Sequence, residues 1–559
     1  MDMFCYQCQE TARNQGCTVK GVCGKTAEVA CLQDLLVWLL KGLSLFGVRA
    51  RELDMRDRDA EAFVAQALFA TITNVNFDAG RFEALIAEAA DRRDALCERV
   101  RATCQGSRDK DCCEGLPGCA TWSPGGASRE ELAGKGAAVG ILADPDLDED
   151  VRSLRELIVY GLKGIAAYTD HAMVLGHEDP EVLAFLQEGL AATLDDGLDA
   201  AALTALVERC GAMGVKAMAL LDAANKGAYG HPEPTEAELG VREGPGILVS
   251  GHDLKDLDEL LEQTAGRGVN VYTHGEMLPA QAYPAFRRHP HFAGNYGGSW
   301  WHQAEEFERF GGPILMTTNC IVPPRDSYKD RLYTTGLAGW PGCPHVADRS
   351  PGGAKDFTAL VERALSLPGP EELETGTIPV GWAHEAVLAR ADDIVAAIGR
   401  GEIRRFVVMG GCDGRHRSRE YFTEVARNLP ADHVILTAGC AKYRYNKLDL
   451  GTVAGIPRIL DAGQCNDSYS LVVVAMKLAE AVGAADVNEL PISYDIAWYE
   501  QKAVIVLLAL LSLGVRNIRL GPTLPAFLSP GVAKVLVERF DLKPTGEVEA
   551  DLAAIAAGA

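Results

Sequence analysis

Four cysteines stand at the start of the chain, Cys5, Cys8, Cys17 and Cys23, spaced C-x2-C-x8-C-x5-C. Thiols this close together serve as disulfides, as a zinc site or as ligands of an iron–sulfur cluster. A second set of metal-binding residue types is scattered through the later chain. Short apolar runs that read as strands each end on one: GILVSG precedes His252, NVYTHG Glu276, PILMTTN Cys320, FVVMGG Cys412, HVILTAG Cys440 and RILDAGQ Cys465. A lone cysteine after a strand is most often a small buried hydrophobe, and a lone histidine or glutamate a cap or surface group. Repetition at matched positions is what points to ligation. Thiolates suit iron–sulfur fragments, whereas imidazole and carboxylate suit a harder, oxygen-bearing iron. A plain cubane needs only four thiolates, so these residues predict a larger cluster with part of its iron open to substrate. Glu500, in SYDIAWYEQKAVIVLL with Lys502 just after it, is a further candidate. A first-turn carboxylate complementing a helix dipole accounts for it equally well.

The elements that must position these residues change character along the chain. From residue 26 to about 228, segments such as AEVACLQDLLVWLLKGLSLFG and SLRELIVYGLKGIAAYTDHAMVLG place apolar residues at i, i+3, i+4, the spacing of amphipathic helices. GHPEPTEAELGVREGPG (230–246) reads as a linker, and LPGPEELETGTIP (367–379) marks a second boundary. Between and after them strands alternate with helices, which predicts parallel sheets. The expectation is a multidomain protein: an all-helical N-terminal domain (1–228) and two Rossmann-like α/β domains (229–380 and 381–559). In open parallel sheets ligands collect at the carboxyl ends of strands, so the six residues could converge between two facing sheets. No G-x-G-x-x-G follows the first strand of either, so a dinucleotide is unsupported.

Bulk properties narrow the class. The chain has 559 residues, 48% hydrophobic and 24% charged, with a net charge of −24. Such acidity argues against nucleic acid as a partner and favours solubility. No signal peptide opens the chain, and the longest apolar run, AVIVLLALLSLGV (503–515), is short for a bilayer and reads as a buried helix. A cytoplasmic location without membrane attachment is expected. Sixteen cysteines in a reducing compartment then mean metal, redox chemistry or buried thiols.

The motifs from MFCYQCQETA to WYEQKAV closely resemble the hybrid cluster protein family, also called prismane proteins or hydroxylamine reductases, over nearly the whole chain. The resemblance implies a [4Fe–4S] cluster on Cys5, Cys8, Cys17 and Cys23, the close spacing matching the subgroup from anaerobes. It implies a hybrid [4Fe–2S–2O] cluster on His252 in SGHD, Glu276 in HGEM, Cys320 in TTNCIVPP, Cys412 in GGCDGR, Cys440 in AGCAKYR, Cys465 in GQCND and Glu500 in WYEQKA. Cys412 matches the position that carries a persulfide in oxidised members. The implied activity is reduction of hydroxylamine to ammonia and water, and of nitric oxide to nitrous oxide, with electrons from an unidentified donor protein. Glu500 and Lys502 are expected to carry protons, and Tyr499 and Asn319 to orient substrate. A nickel–iron–sulfur carbon monoxide dehydrogenase and a non-catalytic sensor of nitric oxide or oxidative stress are the alternatives. A monomer is expected, because one short stretch supplies all four cubane thiols.

Cys104, Cys112, Cys113 and Cys119 crowd one loop, and the resemblance assigns them no role; a third metal site or redox pair is one reading, free or incidental thiols the other. Cys31, Cys97 and Cys210 read as core, and Cys343 with His345 as loop residues.

Overall fold

The computed structural model describes residues 3–105, 113 and 115–558. Seven principal helices build the N-terminal part: α1 (Ala27–Glu52), α2 (Arg58–Ala70), α3 (Ala79–Gln105), α4 (Arg129–Val139), α5 (Glu149–Val174), α6 (Pro180–Ala192) and α7 (Ala200–Tyr229). Side-chain caps start most of them, Thr26 on Val29 N and Asp57 on Ala60 N among them. Helix α1 is apolar and long enough to cross a membrane by length and composition, yet 72% of its most apolar window is buried inside the protein. It is the central strut against which α3, α4 and α6 pack.

Two six-stranded sheets follow. The first holds β1 (Gly246–Ser250), β2 (Asn270–His274), β3 (Phe292–Asn295), β4 (Ile314–Met316), β5 (Leu332–Thr335) and β6 (His345–Val346). The second holds β7 (Arg405–Gly411), β8 (His433–Thr437), β9 (Ile459–Asp461), β10 (Ile492–Ala497), β11 (Ile518–Gly521) and β12 (Lys543–Pro544). Every pairing in both sheets is parallel. Their spatial orders are β3-β2-β1-β4-β5-β6 and β9-β8-β7-β10-β11-β12, the same doubly wound arrangement twice. The chain therefore reverses direction across each sheet between β1 and β4, and again between β7 and β10.

The stretches read as linkers are structured. Thr235–Glu238 pairs antiparallel with Thr377–Val380, so the two boundary segments tie each other down. We propose the division at 228 and 380 with this ribbon at the junctions. Strand β10 escaped the sequence reading, which took the apolar run after it as the landmark. That run is α8 (Gln501–Ser512), and it is buried against α5 and α7. The contact is close because glycines line it: a Cβ on Gly211 would overlap the Leu508 carbonyl, and one on Gly164 would sit 2.5 Å from Ile505 Cγ2.

Candidate metal centre

The turns after the strands decide where the candidate ligands point. Gly251, before His252, and Gly411, before Cys412, both have φ of +103°, a conformation open to glycine. A Cβ at Gly411 would also overlap the Ala497 carbonyl. The chain thus leaves the strand in a sharp bend and turns the next side chain into the space above the sheet. Cys320 makes the equivalent bend itself, with φ of +80° on a non-glycine residue. Because β10 ends at Ala497, Glu500 too follows a strand end. His252 and Cys320 thus flank the reversal point of the first sheet, and Cys412 and Glu500 that of the second, where open α/β sheets bind ligands.

His252, Glu276 and Cys465 are all buried, and their donor atoms lie within 4.8 Å of one another. Cys465 comes from the second sheet, so the two sheets meet here. His252 Nε2 is 3.5 Å from Glu276 Oε2. Thr318 Oγ1 lies 3.0 Å from His252 Nδ1 and fixes the ring, leaving Nε2 toward the site. The Cys465 amide donates to Glu276 Oε2 at 2.9 Å, and the Gln464 side chain donates to the Glu276 carbonyl at 2.9 Å. Lys502 Nζ contacts His252 Nε2 and Asn319 Oδ1, both at 2.9 Å, and Glu500 Oε1 at 3.6 Å. Glu500 also caps α8, accepting from Lys502 N at 2.8 Å, so the helix-terminus and site readings both hold geometrically.

Burial dominates the electrostatics of the site. Burial pushes the thiols of Cys320, Cys412 and Cys440 well above their usual range and Cys465 up to about 12. Burial likewise raises Glu276, against Lys442 and then Lys502, and Glu500, against Lys502. It holds His252 neutral, as a ligand must be, with Lys502 adding to the effect. Burial opposes the Lys502 charge, but Cys465, Glu500, Cys320 and Glu276 outweigh it and keep the ammonium. Burial thus favours the protonated thiols and carboxyls here, and only a bound cation would offset the cost of deprotonating them as ligands.

The N-terminal thiols are organised differently. Cys5 and Cys17 exchange backbone hydrogen bonds of 3.0 and 2.8 Å. Cys8, Cys17 and Cys23 are buried and Cys5 half-buried. Four thiolates on one zinc would stand about 3.8 Å apart at the usual zinc–sulfur distance. Among the described residues no three of these four sulfurs fall within 4.8 Å of one another. The loop is bound to the second centre's frame: Gln9 N donates to the Tyr499 carbonyl at 2.9 Å, and Arg419 joins Gln9 Oε1 at 2.8 Å to the Cys412 carbonyl at 3.0 Å.

Tyr499 is not brought to the His252 group. Its hydroxyl reaches Asn74 Oδ1 at 3.3 Å, its ring lies 4.7 Å from that of Trp300, and Cys8 and Cys23 are among its nearest charged neighbours. Asn319 contacts Lys502 Nζ through Oδ1 and, at 3.5 Å, Cys320 Sγ through Nδ2. Two residues of α5 also reach the site unannounced by sequence. The His171 ring stacks on His252 with centroids 6.4 Å apart, and the buried Tyr168 has Cys465 as its foremost charged neighbour. Both sit at helix-core positions of an amphipathic segment, where nothing in the sequence separates them from packing residues.

An apolar cavity of about 230 Å³ runs beneath the second sheet. Its lining extends from the exposed Met476 and Leu513 to Ser468, Gly410 and Gly411, the last next to Cys412 in the chain.

In the crowded loop, Cys112 lies outside the described residues. Cys104 is disulfide-bonded, which corrects its reading as an incidental thiol. Cys97 hydrogen-bonds Cys113, and Cys119 is fully buried.

A family model described as the Prismane/CO dehydrogenase family matches residues 3–553. The chain belongs to this family. It is 65% identical over 558 residues to a protein of Halothermothrix orenii named hydroxylamine reductase, and 60% identical over 558 residues to one of the same name from Nitratidesulfovibrio vulgaris, each covering 100% of both chains. Among solved structures, carbon monoxide dehydrogenase IV from Carboxydothermus hydrogenoformans superposes with a TM-score of 0.56 at 15% identity, covering 99% of this chain and 92% of that one. A carbon monoxide dehydrogenase from Thermococcus sp. AM4 gives 0.56 at 17%, covering 99% and 90%. These two likenesses are of fold. Membership in the family implies iron–sulfur clusters, and the buried thiol, imidazole and carboxylate donors fit them.

Proposed function

We propose that this protein is a reductase of small nitrogen oxides, taking hydroxylamine to ammonia and water with two electrons and two protons. The observation that carries the reading is the mixed donor set at the meeting of two strand-reversal points: His252, Glu276 and Glu500 beside Cys320, Cys412, Cys440 and Cys465. Relatives of matching length named hydroxylamine reductase support the same conclusion. Carbon monoxide chemistry is disfavoured, since likeness to those enzymes is at 15–17% identity and the donor set here includes two carboxylates. A sensor without turnover would not need a buried ammonium beside the ligands.

In this reading Cys5, Cys8, Cys17 and Cys23 hold a [4Fe–4S] cluster, and the seven later residues a hybrid [4Fe–2S–2O] cluster with Cys412 as the persulfide position. Bound there, the two clusters supply the electrons and a Lewis-acidic iron. Lys502 holds a proton at Nζ within reach of Asn319 and Glu500 and delivers it as the N–O bond breaks. Burial of His252, Glu276, Cys412, Cys440, Cys465 and Glu500 keeps bulk water from most of the site. The half-buried Cys5 marks the side where an electron-donor protein delivers electrons. The protein acts as a cytoplasmic monomer with no nucleic-acid partner.

Nitric oxide is a second substrate favoured by one feature: an apolar cavity whose lining includes Gly411, the residue before Cys412, suits a neutral gas better than polar hydroxylamine.

The test combines iron, nickel and sulfide analysis of anaerobically prepared protein with turnover of Glu500→Gln. We expect roughly eight irons without nickel, and a loss of at least 100-fold in hydroxylamine reduction while the N-terminal cluster's EPR signal persists. Bound nickel, or turnover equal to the parent's, would overturn the reading.

A further inference from the structure

Three arginines gather behind Cys412, and they do not share the same kind of partner. Arg415 meets the Glu10 carboxylate at 2.8 Å. Arg444, which follows Cys440 in the chain, takes the Asp413 carboxylate at 2.7 Å. Arg419 forms no ion pair among the described residues. It ends the turn Arg417–Arg419 that leads into the helix Glu420–Asn428, and it is 0% exposed. Its Nη1 donates to the Cys412 carbonyl at 3.0 Å. Its Nη2 donates to Gln9 Oε1 at 2.8 Å and to the Trp498 carbonyl at 2.7 Å. All three acceptors are neutral, and Nε has no partner among the described residues.

We propose that Arg419 is a positioning residue whose guanidinium gives the second centre a fixed, buried positive charge and so makes that centre accept an electron more readily. The inference rests on the two-cluster reading above and adds a residue to it. A buried charge is costly unless an opposite charge answers it. An arginine cannot relieve that cost by giving up its proton. Two carbonyls and an amide answer it only in part. The carboxylates that act most on Arg419 are those of Asp413 and Glu10, and each is already held by another arginine. The thiols that act on it are Cys412 and Cys440. Both are buried, and without metal burial keeps their protons on, so neither carries charge. As metal ligands they are thiolates. The guanidinium is therefore fully answered only when the second centre is loaded. Its bonds also tie it to the frame of that centre, since Cys412 supplies one acceptor and Trp498, two residues before Glu500, supplies another. Net charge is among the determinants of a cluster's reduction potential, and a positive charge acting through a low-dielectric interior stabilises the added electron.

The experiment is an anaerobic, EPR-monitored redox titration of the holoprotein, of Arg419→Gln, which removes the charge and keeps a donor, and of Arg419→Lys, which keeps the charge. In Arg419→Gln the midpoint of the second centre should move to a more negative value. In Arg419→Lys it should stay closer to the parent's. Arg458→Gln is the control. Arg458 is likewise buried and bonded by carbonyls, among them those of Leu429, Pro430 and His433, but it precedes β9 at the opposite end of the second sheet. Its loss should leave the second midpoint in place. Where Arg419→Gln fails to hold iron, Gln9→Glu replaces it: a carboxylate in place of the bonded amide pairs with the guanidinium and cancels its charge, and the second midpoint should again become more negative. With both centres present in the parent, an unmoved second midpoint in whichever of these two variants holds iron overturns this inference alone. So does a shift in Arg419→Lys equal to that in Arg419→Gln, or a matching shift in Arg458→Gln, since packing rather than charge would then set the potential. Parent protein lacking a second iron centre overturns the functional reading, and this inference with it.

Discussion

Asp495 shows how a single buried residue can set a pH limit. It lies in the middle of β10, fully buried, with Oδ2 accepting the Tyr421 hydroxyl at 3.0 Å and Oδ1 without a partner. Burial raises its pKa to about 7, only partly countered by Tyr421 and Arg519. An unfolded aspartate ionises near 4. As pH rises between about 4 and about 7, the unfolded chain gives up this proton first, so stability falls across that window and levels off above it. Each pH unit within the window costs about 1.4 kcal/mol from this group. Asp495→Asn keeps an acceptor for Tyr421 and removes the titration. Its thermal midpoint should therefore fall less than the parent's between pH 5 and pH 7.5; an identical fall in both proteins would contradict the assignment. The site residues differ in kind, since their unfavourable burial is the condition for holding metal. Their types and their places after apolar runs were legible in the sequence. The left-handed backbone at Cys320 was not, because cysteine carries no preference for it.

At the scale of elements, a recurrent device is strand, sharp turn, ligand, with glycine at the turn before His252, Glu276, Cys412 and Cys440. A glycine after an apolar run can be read in a sequence, and so the alternation of strands and helices was recovered. Strand β10 was missed for a physical reason: its six residues are buried throughout and run almost directly into the apolar α8, so no polar face or long turn separates two periodicities. Helix α8 carries Glu500 at its cap and is locked by glycine contacts to α5 and α7. Gly211→Ala would drive a methyl group into the Leu508 carbonyl and push α7 from α8. Overpacking of this sort costs about 1–3 kcal/mol. Calorimetry should show a lowered melting temperature, and metal analysis a reduced iron content at the second site as Glu500 shifts; unchanged values for both would show that the contact yields freely.

Across the whole molecule, residues from all three parts face one volume: His252, Glu276 and Cys320 from the first sheet, Cys412, Cys440, Cys465 and Glu500 from the second, and Tyr168 and His171 from α5. A ligand that binds only the folded state stabilises it by mass action, and here it would join elements far apart in sequence. Anaerobic removal of iron should lower the melting temperature and reduce hydrogen-exchange protection together around residues 250–253, 318–321, 410–413 and 463–466. Loss confined to one sheet would show that the centre does not couple them. The amino-acid sequence by itself determined the classes of element and the ligand types, because periodicity, turn chemistry and thiol spacing are local properties of the chain. Only the tertiary structure decided that the two sheets repeat one strand order, that the linkers pair, that the Tyr499 hydroxyl meets Asn74, and that α5 lays His171 against His252. Those facts depend on which surfaces bury each other, and a buried histidine on an amphipathic helix looks the same in sequence whether it meets a leucine or a metal ligand.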